Sequence, residues 1–232
     1  MSKSQHRPFL AWPGWAHLRA AWLLTALVSM WFVIVYAGAD FLTGRSQRYV
    51  RVHLDAELHL PMVPAFTVVY MSIYLLFLAV PFVLRTEREI RELAAAQAVA
   101  ILTAGISFLL FPSRLAYPKP SDVDLGMWKP LFDFADRLNL DYNLVPSLHV
   151  ALSVVCIEMF CIHAHTSGKL LLRGWAILIA ASTLLTHQHH ALDAITGWIL
   201  AVLMVALTRR VTHSKKLVAP SKLTMGLFRD SA

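Results

Sequence analysis

Three short runs hold the side chains able to do chemistry: Phe111–Pro120 (FPSRLAYPKP), Asn143–His149 (NLVPSLH) and His187–Asp193 (HQHHALD). His189 and Asp193 are four residues apart, so on a helix they share a face. The carboxylate can then accept the imidazole N–H, which fixes the tautomer and leaves the other ring nitrogen free to attack. Pro146 suits a first helical turn, because its missing N–H would be unsatisfied there and its φ is already helical. Such a helix leaves the amides of Ser147, Leu148 and His149 free. With the Ser147 hydroxyl and the positive helix end, they would make a cradle for an anion such as phosphate. Arg114 can grip a phosphate bidentately, and Lys119 can act as a point charge. Each feature alone also fits an ordinary capped helix start, a structural hydrogen bond or a snorkelling cation. Their convergence is what points to a site.

These runs must be held by membrane helices. Of the 232 residues, 57% are hydrophobic and 15% charged, more apolar side chain than one soluble core can hide. Apolar stretches near 20–38, 61–84, 93–112, 145–165, 174–189 and 191–208 predict an all-α bundle of six transmembrane helices, the fifth short. The expected organisation is an interfacial segment 1–19, a membrane catalytic domain 20–208 and a basic tail 209–232 resting on anionic lipid. Ala37-Gly38-Ala39 resembles a cleavage site, but the preceding apolar run exceeds the usual signal-peptide core, so a retained span is expected. Six spans put both termini on one side, with the connections near 85–92 and 166–173. That side carries 14 of the 21 Lys and Arg residues and the other 7, so both termini are expected in the cytoplasm. The three polar runs then fall together on the outer face. The basic excess is thus an orientation signal and not a nucleic-acid patch. Glu158, about 13 Å along the fourth helix from His149, is expected to serve as an interior hydrogen-bond partner. Cys156 and Cys161 read as small core residues without a disulfide. His187 and His190 point elsewhere, and the acids Asp122, Asp124, Asp133, Asp136 and Asp141 keep their loop solvated.

At these residues the chain resembles the type 2 phosphatidic acid phosphatase superfamily, and within it the branch containing inositol phosphorylceramide synthase and sphingomyelin synthase. Pro146-Ser147-Leu148-His149 is similar to the Pro-Ser-Gly-His motif, and His189 with Asp193 to the His-x-x-x-Asp of the third motif. His187-x-His189 is similar to the sphingolipid-synthase form, and Leu60–Pro64 leading to Tyr70-Met71-Ser72 is similar to that branch. Two departures stand out. Arg114 and Lys119-Pro120 exchange the cation types of the phosphatase motif and shorten its spacing, and Ser182-Thr183 lies where the superfamily has Ser-Arg.

The resemblance implies a metal-free and cofactor-free reaction. His189 would attack phosphorus to form a phosphohistidine, and His149 would protonate the leaving alkoxide and then deprotonate the acceptor. Ser147, Arg114 and Lys119 would stabilise charge on the transferring group. It implies lipid phosphate substrates, membrane lipids as partners, and a bacterial inner membrane with the site facing the periplasm. Water as acceptor makes the chain a phosphatase, and a lipid or polyol hydroxyl makes it a phosphotransferase. Neutral His189 with protonated His149 implies a bell-shaped pH profile between about pH 5 and 9. Two other classes compete with this reading. One is a membrane oxidase with His149, His187, His189 and His190 as metal ligands, which offers too few histidines at helical spacing. The other is a proton-coupled transporter using Glu158, for which no inverted repeat or midplane helix break is visible. Neither a nucleic-acid partner nor an oligomeric state follows from the sequence.

Overall fold

Local signals start the helices before any packing does. The Thr86 hydroxyl accepts the Glu89 amide at 3.2 Å, and the Glu89 carboxylate reaches back to the Thr86 amide at 3.1 Å. This reciprocal cap opens a 24-residue helix from the alternating charges of residues 85–92. The computed structural model describes residues 8–218. The ends 1–7 and 219–232, including most of the expected lipid-bound tail, lie outside the described residues.

In chain order the helices are α1 (Trp15–Thr43), α2 (Thr67–Met71), α3 (Ile73–Val83), α4 (Glu87–Leu110), α5 (Asp122–Leu125), α6 (Lys129–Leu138), α7 (Leu148–Phe160), α8 (Thr166–Leu185) and α9 (Ala191–Val218). No strand occurs among the described residues, and a single bridge joins Val50 to Ser113 between the two long loops. A 3-10 turn, Pro64–Phe66, runs into α2 and α3 to give one apolar stretch, Pro64–Val83.

Among the described residues five helical stretches are long and apolar enough to cross a membrane: Trp15–Thr43, Pro64–Val83, Glu87–Leu110, Thr166–Leu185 and Ala191–Val211. The expected fourth span, 145–165, is instead the 13-residue α7. At 1.5 Å per residue it covers about 20 Å, short of the roughly 30 Å hydrocarbon layer. α7 is the centre of the bundle, packed by α3, α4, α8 and α9. Eleven of its residues are buried, and the exceptions are His149 and Glu158. A helix wrapped by protein need not match the bilayer's thickness, so an apolar run read along the sequence overstates its length. The fifth helix, expected to be short, is the longer α8 because Lys169 and Arg173 lie within it. α1 continues unbroken through Ala37-Gly38-Ala39.

Contacts sort the helix ends into two groups. At one end the Ala11 amide donates to Phe82 O (3.0 Å), His17 meets Leu84 O (2.9 Å) and His163 lies 3.2 Å from Glu89. At the other end the Val63 amide donates to Leu185 O (2.8 Å), the Tyr142 amide to Asp40 (3.2 Å) and the Ser147 amide to Asp193 O (2.9 Å). Close approaches rest on small residues. A Cβ on Gly105 would collide with Val35 of α1, and one on Gly197 with the Ser147 carbonyl.

Candidate active site

The second group of helix ends is where the three polar runs of the sequence meet. α7 starts at Leu148, two residues later than a helix opened by Pro146 would. Ser147 is its N-cap, its hydroxyl accepting the Val150 amide at 3.3 Å, and Pro146 lies before the helix. The Ser147 amide is not free, because it donates to the backbone carbonyl of Asp193. The N–H groups of Leu148 and His149, the first two helical residues, remain at the helix end. Gly197 lets α9 pack directly on this turn, which brings Asp193 against Ser147.

His189 sits in the short link between α8 and α9. Its amide and that of Gln188 both donate to Thr183 O at 3.0 Å, which turns the chain back after α8. Its Nδ1 lies 3.4 Å from Asp193 Oδ2, and the ring is 5% exposed against 0% for Asp193. The expected hydrogen bond is not closed. Asp193 Oδ2 instead accepts the His190 amide at 2.8 Å, while His189 Nδ1 and Asp193 Oδ1 have no hydrogen-bond partner. The carboxylate nevertheless faces Nδ1, so Nε2 is the nitrogen turned away from it.

His149 is oriented by α2. Its ring stacks on Tyr70 with centroids 3.9 Å apart, and its Nε2 lies 2.7 Å from the Tyr70 carbonyl oxygen. A carbonyl only accepts, so Nε2 carries the hydrogen and Nδ1 is the nitrogen left to exchange a proton. The Tyr70 hydroxyl donates to Asn139 Oδ1 at 2.9 Å, the Asn139 amide donates to Gln188, and Gln188 donates to Asp136 at 3.4 Å. This chain of hydrogen bonds ties the partner of His149 to the residue preceding His189.

Both histidines line one cavity of about 770 Å³. Its walls are α1 from Trp22 to Tyr36, the Tyr70–Pro81 stretch and α4 from Ile90 to Ile101. Polar groups collect where Tyr36, Tyr70, Asn139, Asn143, His149 and His189 meet, and most of the remainder is aliphatic or aromatic. Among the described residues no Lys or Arg lines it. Arg114 and Lys119 are exposed outside this lining, Arg114 with its guanidinium 5.9 Å from the Tyr49 ring.

A sequence model of the PAP2 superfamily matches residues 49–207. The chain belongs to the PAP2 superfamily. Searches of curated proteins and of solved structures returned no match.

In this PAP2 protein the backbone carbonyl of Thr183, the position at which the motif resemblance expects an arginine, holds the His189 amide. The remaining histidines serve other contacts. His187, at a left-handed φ of 55°, meets Leu60 O at 3.0 Å and stacks on Tyr117 at 4.0 Å. His190 is fully buried. Its Nε2 accepts the Ala116 amide at 3.1 Å, and its Nδ1 lies 3.1 Å from Glu57. Burial lowers the pKa of the His190 imidazole, against the opposing pull of Asp193 and Glu57. Burial likewise lowers that of His187, so both rings are neutral at neutral pH. Tyr117 is pushed up to about 12 by burial, with the carboxylates of Glu57 and Asp193 adding to the effect. Among the described residues no group of three or more His, Cys, Asp or Glu is placed to hold a metal ion.

Sequence reasoning passed over Asn139, Asn143 and Glu57. Asn139 sits in the loop read as solvated, Asn143 opens the Asn143–His149 run without a role of its own there, and Glu57 is a lone acid between the first two apolar stretches. Uncharged amides carry no charge signal, and a single carboxylate has meaning only once its distant partner is known.

Proposed function

We propose that this PAP2 protein is an integral-membrane lipid phosphate phosphatase or phosphotransferase acting through a phosphohistidine on His189. The observation that carries this reading is the pairing of His149 and His189 at the polar end of an otherwise apolar cavity. That cavity suits an amphiphile whose phosphorylated headgroup meets the histidines and whose chain lies between α1, α3 and α4. His189 Nε2 attacks phosphorus and the bond to the leaving oxygen breaks. The proton on His149 Nδ1 passes to that oxygen. Water or an alcohol then loses a proton to His149 and attacks phosphorus, the P–N bond breaks, and His189 is restored. Asp193 stabilises the cationic imidazole along the way. The Leu148 and His149 amides at the start of α7 stabilise the developing negative charge, and Ser147 supports them as the cap of that helix. Arg114 and Lys119, exposed outside the cavity, act by drawing anionic headgroups toward its mouth.

The transferase form of the reading has its own support. A phosphate monoester carries close to two negative charges at neutral pH, a diester one. A cavity with no lining Lys or Arg among the described residues, and Thr183 in place of the third-motif arginine, favours the diester donor. The 14-to-7 distribution of basic residues supports cytoplasmic termini and an extracytoplasmic site, in a bacterial inner membrane facing the periplasm.

The test is product analysis on purified protein given phosphatidic acid or a phospholipid diester, each with and without a ceramide or polyol acceptor. Release of inorganic phosphate from phosphatidic acid identifies the phosphatase. A new acceptor phosphodiester identifies the transferase, and turnover of neither substrate contradicts the proposal.

A further inference from the structure

Glu57 lies in a loop that sequence reasoning left without a role, yet it is one of the most buried acids in the molecule. It is 6% exposed, within the 3-10 turn Asp55–His59, and its contacts are directed at the α8–α9 link. Oε1 accepts the Leu54 amide at 2.9 Å, which anchors the side chain to its own turn, and lies 3.1 Å from His190 Nδ1. Oε2 accepts the Ala191 amide at 2.8 Å. Ala191 is the first residue of α9, so this carboxylate from a distant loop sits at the positive end of the helix that carries Asp193.

These contacts enclose His189. On its N-terminal side Thr183 O holds the Gln188 and His189 amides; on its C-terminal side two carboxylates hold the next two amides, Asp193 on His190 and Glu57 on Ala191. The His190 ring is fixed from its other edge by the Ala116 amide and lies against Tyr117, centroids 4.8 Å apart, so it cannot swing out of Glu57's reach. The 3.4 Å between His189 Nδ1 and Asp193 depends on where this link sits. A displacement of a few tenths of an ångström decides whether that hydrogen bond closes. Glu57 does not line the cavity that contains His149 and His189.

We propose that Glu57 is a positioning residue: through His190 and the N-terminus of α9 it holds His189 in register with Asp193. Its catalytic consequence rests on the phosphohistidine reading above. Its structural consequence does not.

The test compares the full-length wild type with Glu57→Gln, which is isosteric and keeps one acceptor oxygen, and with Glu57→Ala. Ring-nitrogen NMR of the ¹⁵N-histidine-labelled chain in micelles, with His189 assigned through His189→Gln, is expected to show a single Nδ1–H tautomer of His189 in the wild type. A tautomer mixture is expected in Glu57→Gln. With the lipid phosphate that the wild type turns over, Glu57→Gln is expected to lower kcat about 10- to 100-fold and to leave KM within about threefold. Glu57→Ala is expected to lose more, and Tm should fall by only a few degrees. Where Glu57→Ala does not fold, Glu57→Gln carries the comparison. An unchanged His189 signal in Glu57→Gln overturns the proposal whatever the wild type catalyses. So does activity that falls only in proportion to the amount of folded protein. A shifted signal in a chain that turns over no phosphate supports the positioning role and contradicts the proposed function instead.

Discussion

At one end of α7 Glu158 uses both of its oxygens. Arg173 of α8 donates to Oε1 at 2.7 Å and to Oε2 at 3.1 Å, and Arg209 of α9 donates to Oε2 at 3.2 Å. At the other end, His149 shares its surroundings with polar atoms that have no partner. Among the described residues His189 Nδ1, Asp193 Oδ1, His190 Nδ1, Asn143 Oδ1, His53 Nδ1, Ser113 Oγ and Thr67 Oγ1 are buried without a hydrogen bond, and toward the Glu158 end His163 Nε2, 3.2 Å from Glu89, is too. Buried polar groups are normally satisfied, because each unmade bond costs about 1–3 kcal/mol. The Glu158 end therefore serves as a staple across three helices. The His149 end leaves its polar groups less fully paired, and of these only Asn143 and His189 line the cavity with His149. The same helix carries a structural site and the proposed reactive one, and what separates them is the satisfaction of the polar groups more than their type.

The largest effect expected from breaking the reactive end, short of removing a histidine, comes from Asp193→Asn. The variant keeps the packing and an acceptor for the His190 amide but loses the negative charge facing His189, so kcat should drop by at least about 100-fold with KM little changed. Steady-state kinetics against one lipid phosphate decides it, and near-wild-type kcat would remove Asp193 from the mechanism. Arg114→Ala and Lys119→Ala should act more weakly. Exposed charges outside the cavity are expected to raise KM by less than about tenfold, with the difference shrinking at high salt. A collapse of kcat in either would mean that the cation reaches the phosphate itself.

At the staple end the expectation reverses. Glu158→Gln should lower thermal stability by no more than about 1 kcal/mol, since its arginine partners are largely exposed, and should leave kcat per folded molecule unchanged. Loss of kcat with stability intact would break the division between the two ends. The smallest effect belongs to His187. Its folded pKa is lowered by burial, so the unfolded chain binds more protons as pH falls below the ordinary imidazole value. Its contribution to stability is therefore present above about pH 6.5 and lost as pH falls through the folded pKa. Thermal melts of the wild type from pH 7.5 to 5 should show a decline that His187→Phe makes shallower.

Much of this was legible in the sequence because it rests on local rules. Apolar runs located the helices, the Pro-Ser start located α7, and His189 with Asp193 four residues on marked the turn to which the proposed reaction is assigned. What escaped depends on how distant segments meet. The length of α7 was overstated because burial by neighbouring helices, invisible along the chain, replaces burial in lipid. The amides of Ser147, Leu148 and His149 were read as a free cradle, but Asp193 O takes the first of them, a contact made possible by Gly197 more than forty residues downstream. Glu57 was passed over and His190 was read as pointing elsewhere for the same reason, since neither has meaning without the other. Glu158 was expected to find an interior partner and found two arginines at the bundle end.

The central claim is that His189 carries the phosphoryl group. Rapid acid-free quenching of the enzyme during turnover of a ³²P-labelled lipid phosphate, followed by peptide mapping, tests it directly. An acid-labile, base-stable label on the peptide containing His189 is predicted, absent in His189→Ala and formed slowly in His149→Ala. Label that persists in His189→Ala, or wild-type turnover in that variant, would contradict the account.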